Sequence, residues 1–146
     1  MRKLMMILLL VLSTMTLSAC SFFQEANNSL QYADQTKEHL NNLAVFAEQA
    51  PQKIQDAATN PETKQQLEDQ LTALKKEIEQ YNLIDAPAIA KDLHQQLVEK
   101  NQMLLDEINQ VLASGNVALD QLQNSPIIST ISDITSLMNR IENLGL

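Results

Sequence analysis

The sequence of 146 residues has little of what β-structure, disulfide-bonded domains and phosphate-binding loops require. It contains one cysteine, two glycines, four prolines, three phenylalanines, two tyrosines and no tryptophan. A single cysteine excludes a disulfide within the chain. Because glycine occurs only at positions 115 and 145, the chain cannot form a glycine-rich phosphate loop. Because strands favour aromatic and β-branched residues, the abundance of Gln, Asn, Leu, Ala and Glu predicts an all-α fold.

The N-terminus has the layout of a secretory signal. Arg2 and Lys3 form a basic start, and residues 4–12 (LMMILLLVL) form an unbroken apolar run. A membrane-spanning helix needs about 20 apolar residues, so this run is too short to be one. A short apolar run behind a basic start instead predicts a signal peptide, here residues 1–19.

The signal ends at the only cysteine of the chain. Residues 17–20 (LSAC) resemble the lipobox of bacterial lipoproteins at all four positions. The resemblance implies cleavage between Ala19 and Cys20 and attachment of a lipid to the Cys20 sulfur. The thiol suits this chemistry because it is the most nucleophilic side chain near neutral pH. The alternative reading is that Cys20 is merely an apolar residue near the end of the signal.

The chain that remains after cleavage is strongly acidic. It keeps 18 acidic residues against eight basic ones, since Arg2 and Lys3 leave with the signal, and its formal charge is −10. Nucleic acid and anionic headgroups attract clusters of Lys and Arg, and only the pair at residues 75–76 survives. We therefore expect no nucleic-acid partner and no cofactor, and a membrane contact made through the lipid on Cys20.

The apolar spacing predicts an antiparallel bundle of about four helices over residues 29–146, behind a tether at residues 20–28. The tether contains Phe22 and Phe23, which either dip into the membrane interface or cover the core. The predicted helices cover residues 26–58, with a kink or break at Pro51, and residues 61–81, 86–113 and 126–144, with a short helical turn at 117–123. We expect Asn60 to cap the second helix, Asp85 the third, and Gly115 to end the third.

Four apolar stripes are expected to bury one another. The first, an imperfect stripe, carries Leu30, Ala33, Lys37, Leu40, Ala44, Ala47 and Ile54, flanked by Leu43 and Phe46. The second carries Leu67, Leu71, Leu74, Ile78 and Tyr81, and the third Ala90, Leu93, Leu97, Leu104, Ile108 and Val111. The last carries Ile127, Ile131, Ile134, Met138 and Ile141, beside Ile128, Leu137 and Leu144. Asn101 falls within the third stripe, where it either fixes the helix register or binds a ligand.

The residues suited to catalysis or metal binding form no recognisable motif. His39 and His94 are the only histidines, they lie on different predicted helices, and neither has metal-ligand spacing. The acidic residues at 68–69, 77, 79 and 106–107 are expected to be solvated surface. No G-x-S-x-G or S-x-x-K motif occurs. We therefore expect no catalytic residues, no metal site and no enzymatic activity.

With these elements placed, the chain resembles a family of small uncharacterised lipoproteins from Bacillus-type Gram-positive bacteria. The resembling stretches are CSFFQEANNSLQYA (residues 20–33), FAEQAPQ (46–52), DAPAIAKDLHQQL (85–97), ISTISDIT (128–135) and IENLGL (141–146). These patterns carry no assigned chemistry, so the resemblance implies a location and transfers no functional residue except Cys20.

The expected function is that of a non-enzymatic lipoprotein on the extracytoplasmic face of the cell membrane, working through contacts with an unidentified envelope protein. The alternative is a binder of a small ligand or a peptide. A cavity between helices lined by Tyr32, Tyr81, Asn101 and Met103 would favour the alternative, and a closed core would favour the protein-contact function.

Overall fold

A computed structural model describes residues 17–113 and 117–143 of the chain, with side chains described from residue 27 onward. Its long helices are α1 (Leu17–Ala57), α2 (Pro61–Tyr81) and α3 (Lys91–Leu112). A 3-10 turn, Ala88–Ala90, precedes α3. Three short helices follow, α4 (Leu119–Asn124), α5 (Ile127–Thr135) and α6 (Met138–Glu142). The described residues contain no strand, and the all-α prediction is confirmed.

The first helix is longer than predicted at its start and unbroken at its proline. It begins at Leu17, so the backbone of the predicted tether is helical. It also continues through Pro51, so of the predicted kink or break the break is wrong and the kink stays a prediction. Pro51 lies on the exposed side of α1, where water can bind the carbonyl group that the proline leaves without a helical partner. Residues 1–16 of the predicted signal, which was placed at residues 1–19, lie outside the described part of the chain.

The buried face of α1 differs in part from the predicted stripe. Leu40, Leu43 and Phe46 are buried in the core, whereas Leu30 and Ala44 are exposed. The core face of α1 also carries buried polar residues, among them His39. A hydrophobicity pattern does not detect polar residues on a buried face, and the predicted stripe was displaced for that reason.

The second and third helices follow their predicted stripes closely. Every residue predicted to lie inside on α2 and α3 is buried. The predicted cap of α2 is also confirmed, because Asn60 Oδ1 accepts hydrogen bonds from the backbone N–H groups of Glu62 (2.9 Å) and Thr63 (3.3 Å). Pro61 occupies the first helical position, where the missing N–H costs nothing.

The third helix begins later than predicted. Asp85 was expected to cap it, and this prediction is wrong, because α3 begins at Lys91 without a side-chain cap. Pro87 is extended, with ψ of 156°, and the chain passes through the 3-10 turn before the α-helix starts. The expected ending at Gly115 lies outside the described residues.

The last predicted helix is divided. α5 ends at Thr135 and α6 begins at Met138. Near the division the hydroxyls of Thr135 and Ser136 donate to the carbonyl oxygens of Ser132 (3.1 Å) and Asp133 (2.7 Å). The N–H of Leu137 donates to the oxygen of Ile134, three residues back, at 3.1 Å. Hydroxyl groups that bind backbone oxygens in this way compete with the α-helical ladder, which gives way here to a tighter turn.

Side-chain contacts show the directions of the helices. Residues 36 and 39 of α1 meet residues 81 and 77 of α2, so these helices are antiparallel. Lys75 in the last third of α2 bonds Asn109 of α3, and Asn82, just beyond the end of α2, bonds Asn101. The order is again opposite, so α2 and α3 are antiparallel. The α5–α6 segment returns along α3, since Thr130 bonds Glu107 (2.9 Å) and Arg140 bonds Gln96 (2.7 Å). The antiparallel bundle is confirmed, with α4–α6 in the fourth position.

One apolar core joins all these helices. The predicted isoleucines of the last segment, 127, 131, 134 and 141, are buried in it. A second, smaller cluster consists of Tyr32, Ala86 and Ala90, with Ile84 packed against them. The smaller cluster holds the connection between α2 and α3 against α1.

Candidate functional site

The chain has two tyrosines and two histidines, and all four meet in one place. The ring of Tyr81 stacks on that of His39, with centroids 4.1 Å apart and planes 10° apart. His94 lies on another side of Tyr81 at 5.5 Å, and Tyr32 contacts His94 edge-on at 5.6 Å. With the polar groups bonded to them these residues form what we call the polar cluster: Tyr32, Thr36, His39, Glu77, Tyr81, Asn82, His94 and Asn101.

A chain of hydroxyl groups runs through the cluster. Thr36 donates its proton to the carbonyl oxygen of Tyr32 at 2.7 Å. The hydrogen bond between the hydroxyls of Thr36 and Tyr81, 3.1 Å long, therefore uses the proton of Tyr81. The hydroxyl of Tyr32 lies 3.4 Å from that of Tyr81 and 3.3 Å from Nδ1 of His94. These bonds tie the middle of α1 to the end of α2 and to α3.

His39 links the three long helices within the cluster. Its Nδ1 lies 3.2 Å from Oε1 of Glu77, and its Nε2 lies 3.3 Å from Oδ1 of Asn101. Asn101 in turn donates from Nδ2 to Oδ1 of Asn82 at 2.9 Å. A doubly protonated ring donates to both oxygens, and a neutral ring fits the same place when the amides of Asn101 and Asn82 are both turned over. The side chain of His39 is only 2% exposed, whereas that of Glu77 is 34% exposed.

Burial shifts the protonation of two cluster residues. It raises the pKa of Tyr81 far above the ordinary value for tyrosine, against a smaller opposite effect of the hydrogen bond with Thr36. Burial likewise lowers the pKa of His94 below 6.5, partly offset by the carboxylate of Asp85. Tyr81 is therefore a neutral phenol near pH 7, and burial favours the neutral imidazole form of His94.

Of the four residues whose cavity would favour the alternative function, three lie in this cluster. Tyr32, Tyr81 and Asn101 are almost completely buried, and each is hydrogen-bonded to another side chain of the chain. Met103 is instead 58% exposed on the outside of α3. The cluster is closed by its own contacts. Asn101 is buried in the predicted stripe, where it bonds residues from α1 and from the connection after α2.

Open grooves surround the closed cluster. Residues 82–87, called here the α2–α3 loop, lie across it, and Ile84 of this loop lines three grooves. The Gln31 groove, about 640 Å³, runs between α1 and the loop and reaches Tyr32. The Glu38 groove, about 470 Å³, reaches His39 and Tyr81 between α1 and α2. The Gln95 groove, about 590 Å³, reaches His94 between the loop and α3. Each groove has one or more cluster rings at its floor.

The predicted solvated carboxylates fall into two groups. Asp69, Glu79 and Asp106 are exposed as expected. Glu107 differs, because its Oε1 accepts from the hydroxyl of Thr130 at 2.9 Å while its Oε2 is buried without a partner. Burial raises the pKa of Glu107, and the bond from Thr130 opposes that rise. Glu77 also departs from the expectation, through its bond with His39.

The sequence predicts His39 and His94 on different helices without a shared site, whereas the structure brings both onto Tyr81. The available signal was the 62-residue offset that α1 and α3 share, since Tyr32 meets His94 and His39 meets Asn101. That offset becomes visible only once the two helices are known to run in parallel. Among the described residues no group of three or more His, Cys, Asp or Glu is arranged to hold a metal ion.

The predicted lipid site lies at the start of α1. The backbone of Cys20 belongs to this helix, while the side chains of Cys20, Phe22 and Phe23 lie outside the described part. The two alternatives for the phenylalanines therefore stay open as predictions. None of the helices in the described residues combines the length and apolarity needed to cross a membrane.

Comparison with known proteins covers nearly the whole chain. The sequence profile of a family of unknown function, DUF6376, matches residues 32–144, which contain the complete polar cluster. The chain is also 27% identical to the uncharacterized lipoprotein YybP of Bacillus subtilis (strain 168), over 98% of this chain and 99% of that protein. No solved structure matches the chain. The predicted resemblance to uncharacterised lipoproteins is confirmed.

Proposed function

Since the chain belongs to the DUF6376 family of unknown function, which names no reaction, we propose from its own residues that it is a lipid-anchored, non-enzymatic interaction module of the cell envelope. In this proposal Cys20 carries the lipid and the helical bundle lies on the extracytoplasmic face of the cell membrane. Support for the anchor comes from the LSAC motif behind a signal-like N-terminus and from the similarity to a lipoprotein.

The anchor is tested at Cys20 itself. Cys20→Ala is expected to abolish incorporation of labelled fatty acid and to block cleavage after Ala19, because the thiol that accepts the lipid is gone. The native protein is expected to begin at Cys20 and to carry the mass of at least two acyl chains. One chain alone gives only marginal, reversible membrane binding, and the mature chain has no polybasic patch to assist it.

Mass spectrometry of the intact protein checks this directly, and Ser18→Ala serves as a control that keeps a small residue beside the cysteine. Fractionation alone is a poor measurement, because the uncleaved apolar run would hold the precursor in the membrane. A native protein with an unmodified Cys20, or one that starts at another residue, would contradict the lipid anchor.

The single observation that supports an interaction module is that the polar cluster is closed while its surroundings are open. The side chains of Tyr32, Tyr81 and Asn101 bond one another and their neighbours, so the polar groups that would bind a ligand inside the bundle are already used. Recognition therefore falls to the outer grooves. Their walls carry amides and charges of both signs, as in the Gln31 groove with Asp85 and Lys91. Grooves of this type suit contacts with a polar protein surface.

Site-specific photo-crosslinking in intact cells tests this use of the grooves. A photoreactive residue at Gln31 is expected to capture one discrete envelope protein, identified by mass spectrometry. Gln102, an exposed glutamine on α3 outside the three grooves, is the matched control and is expected to capture nothing discrete. The same products at both positions, or none at Gln31, would refute the groove as an interaction surface.

The alternative function, binding of a small ligand or a peptide, is favoured by the size of the Gln31 groove. About 640 Å³ lies within the range of known small-molecule sites. The same crosslinking experiment separates the two functions by the mass of the adduct. A small adduct at Gln31 that is absent at Gln102 would establish the alternative in place of the protein partner.

A further inference from the structure

The large apolar side chains that remain exposed gather toward one end of the bundle. Leu83 is 85% exposed and Ile89 is 58% exposed, and both lie on the connection from α2 to α3. Leu30, also exposed, lies in the same half of the bundle. Val45 and Met103 are exposed singly, farther along the helices. Single exposed apolar residues are ordinary, whereas a local concentration of them marks a contact surface.

The connection that carries Leu83 and Ile89 is unusually apolar for a surface segment. Residues 82–90 read NLIDAPAIA, with Asn82 and Asp85 as the only polar residues and no basic one. Its inner side is fixed, because Ala86 and Ala90 are buried against Tyr32 of α1. Its outer side exposes Leu83 and Ile89, whose side chains do not belong to either apolar cluster of the fold.

This connection lies at the end of the bundle nearest the predicted lipid. Asn28 and Gln31 of α1 line the same groove as the α2–α3 loop. Cys20 precedes Asn28 by eight residues on the same uninterrupted helix, a distance of about 12 Å along its axis. A bundle held at Cys20 and leaning toward this side brings the connection to the membrane surface.

We propose that residues 82–90 form a second membrane contact, in which Leu83 and Ile89 enter the interface of the leaflet that holds the acylated Cys20. The proposal rests on the lipid anchor of the proposed function. The connection has no Lys or Arg and carries Asp85, so the attraction is apolar. Binding of this kind does not require anionic lipids.

Depth-dependent quenching in vesicles tests the contact with the lipidated full chain. Because the lipid consumes the Cys20 thiol, Ile89→Cys provides one reactive thiol for a fluorescent label. The label is expected to be quenched several-fold more by lipids brominated near the headgroup than the same label in Met103→Cys. Met103 and Ile89 are equally exposed, 58% each, but Met103 lies 12 residues beyond the start of α3. Leu83→Cys is expected to behave like Ile89→Cys.

Two further readings make the result decisive. Quenching is expected to be the same in zwitterionic and anionic vesicles and at every ratio of protein to lipid. Equal quenching at residues 89 and 103, or none at 83 and 89, overturns the proposal. Quenching that appears only at a high ratio of protein to lipid also overturns it, because it indicates that the contact depends on a second copy of the chain. The mass of the acylated Cys20 peptide, measured on the same samples, shows separately whether the anchor itself has failed.

Discussion

Replacement of Ile134 by aspartate tests the packing of the bundle most directly. Ile134 lies in the last turn of α5, is completely buried, and belongs to the core shared with α1 and α3. Loss of its side-chain burial costs about 1.5–3 kcal/mol. The aspartate then either brings an unpaired charge inside or takes up a proton, which costs several kcal/mol more. We expect Ile134→Asp to lower the free energy of unfolding by about 4–6 kcal/mol.

Thermal unfolding followed by circular dichroism measures this loss. At about 4 °C per kcal/mol for a domain of this size, Tm is expected to fall by roughly 15–25 °C. Ile134→Val, which removes one methylene, is expected to cost only about 0.5–1.5 kcal/mol. Glu79→Ala changes an exposed residue and is expected to stay within about 0.5 kcal/mol of the native protein. Equal values of Tm for Ile134→Asp and Glu79→Ala would show that the face of α5 carrying Ile134 is not buried in the core.

Three smaller perturbations address a cap and two titratable groups. Asn60→Ala removes the acceptor for two N–H groups of α2, and we expect urea unfolding to show a loss of about 0.5–2 kcal/mol, largely absent in Asn60→Asp. Since burial raises the pKa of Glu107, its ionisation opposes folding at neutral pH and the stability it contributes rises as the pH falls through that pKa. Glu107→Gln is therefore expected to be no less stable than the native protein at pH 7 and to flatten this part of the pH profile, whereas Asp106→Asn leaves the profile unchanged. Because burial lowers the pKa of His94 below 6.5, the unfolded chain binds this proton first, so the stability it contributes falls as the pH drops below 6.5. Asp85→Asn is expected to lower the pKa of His94 further in an NMR titration, and an unchanged titration would contradict the interaction between them.

The apolar spacing predicted α2 best, because no charged or amide side chain interrupts its buried face. On α2 the spacing of the apolar residues, such as Leu67 and Leu71, is sufficient to predict which face is buried. Its cap at Asn60 involves only neighbouring residues, so it can also be predicted locally. On α1 the buried face includes His39, and the apolar pattern does not distinguish it from the exposed face. The division of the last helix was missed because it depends on hydroxyl groups of Thr135 and Ser136 that bond backbone oxygens, which an apolar pattern does not show.

The candidate site was less predictable because it depends on tertiary contacts. Tyr32, Tyr81 and Asn101 were correctly singled out, but their role as mutual partners follows only from the alignment of α1 with α3. Asn101 was predicted to lie within the third stripe, and that position is confirmed. The apolar pattern of α3 does not show which residues bond Asn101, because His39 and Asn82 belong to other parts of the chain.

The gathering of both tyrosines in one cluster gives the protein an intrinsic optical reporter. With no tryptophan in the chain, near-ultraviolet absorption and emission arise mainly from Tyr32 and Tyr81. Both rings are buried beside imidazoles, so their near-ultraviolet circular dichroism reports the order of the half of the bundle next to the predicted anchor. Far-ultraviolet circular dichroism reports all the helices together. Comparison of the two signals during unfolding shows whether the polar cluster loosens before the apolar core, without any label on the chain.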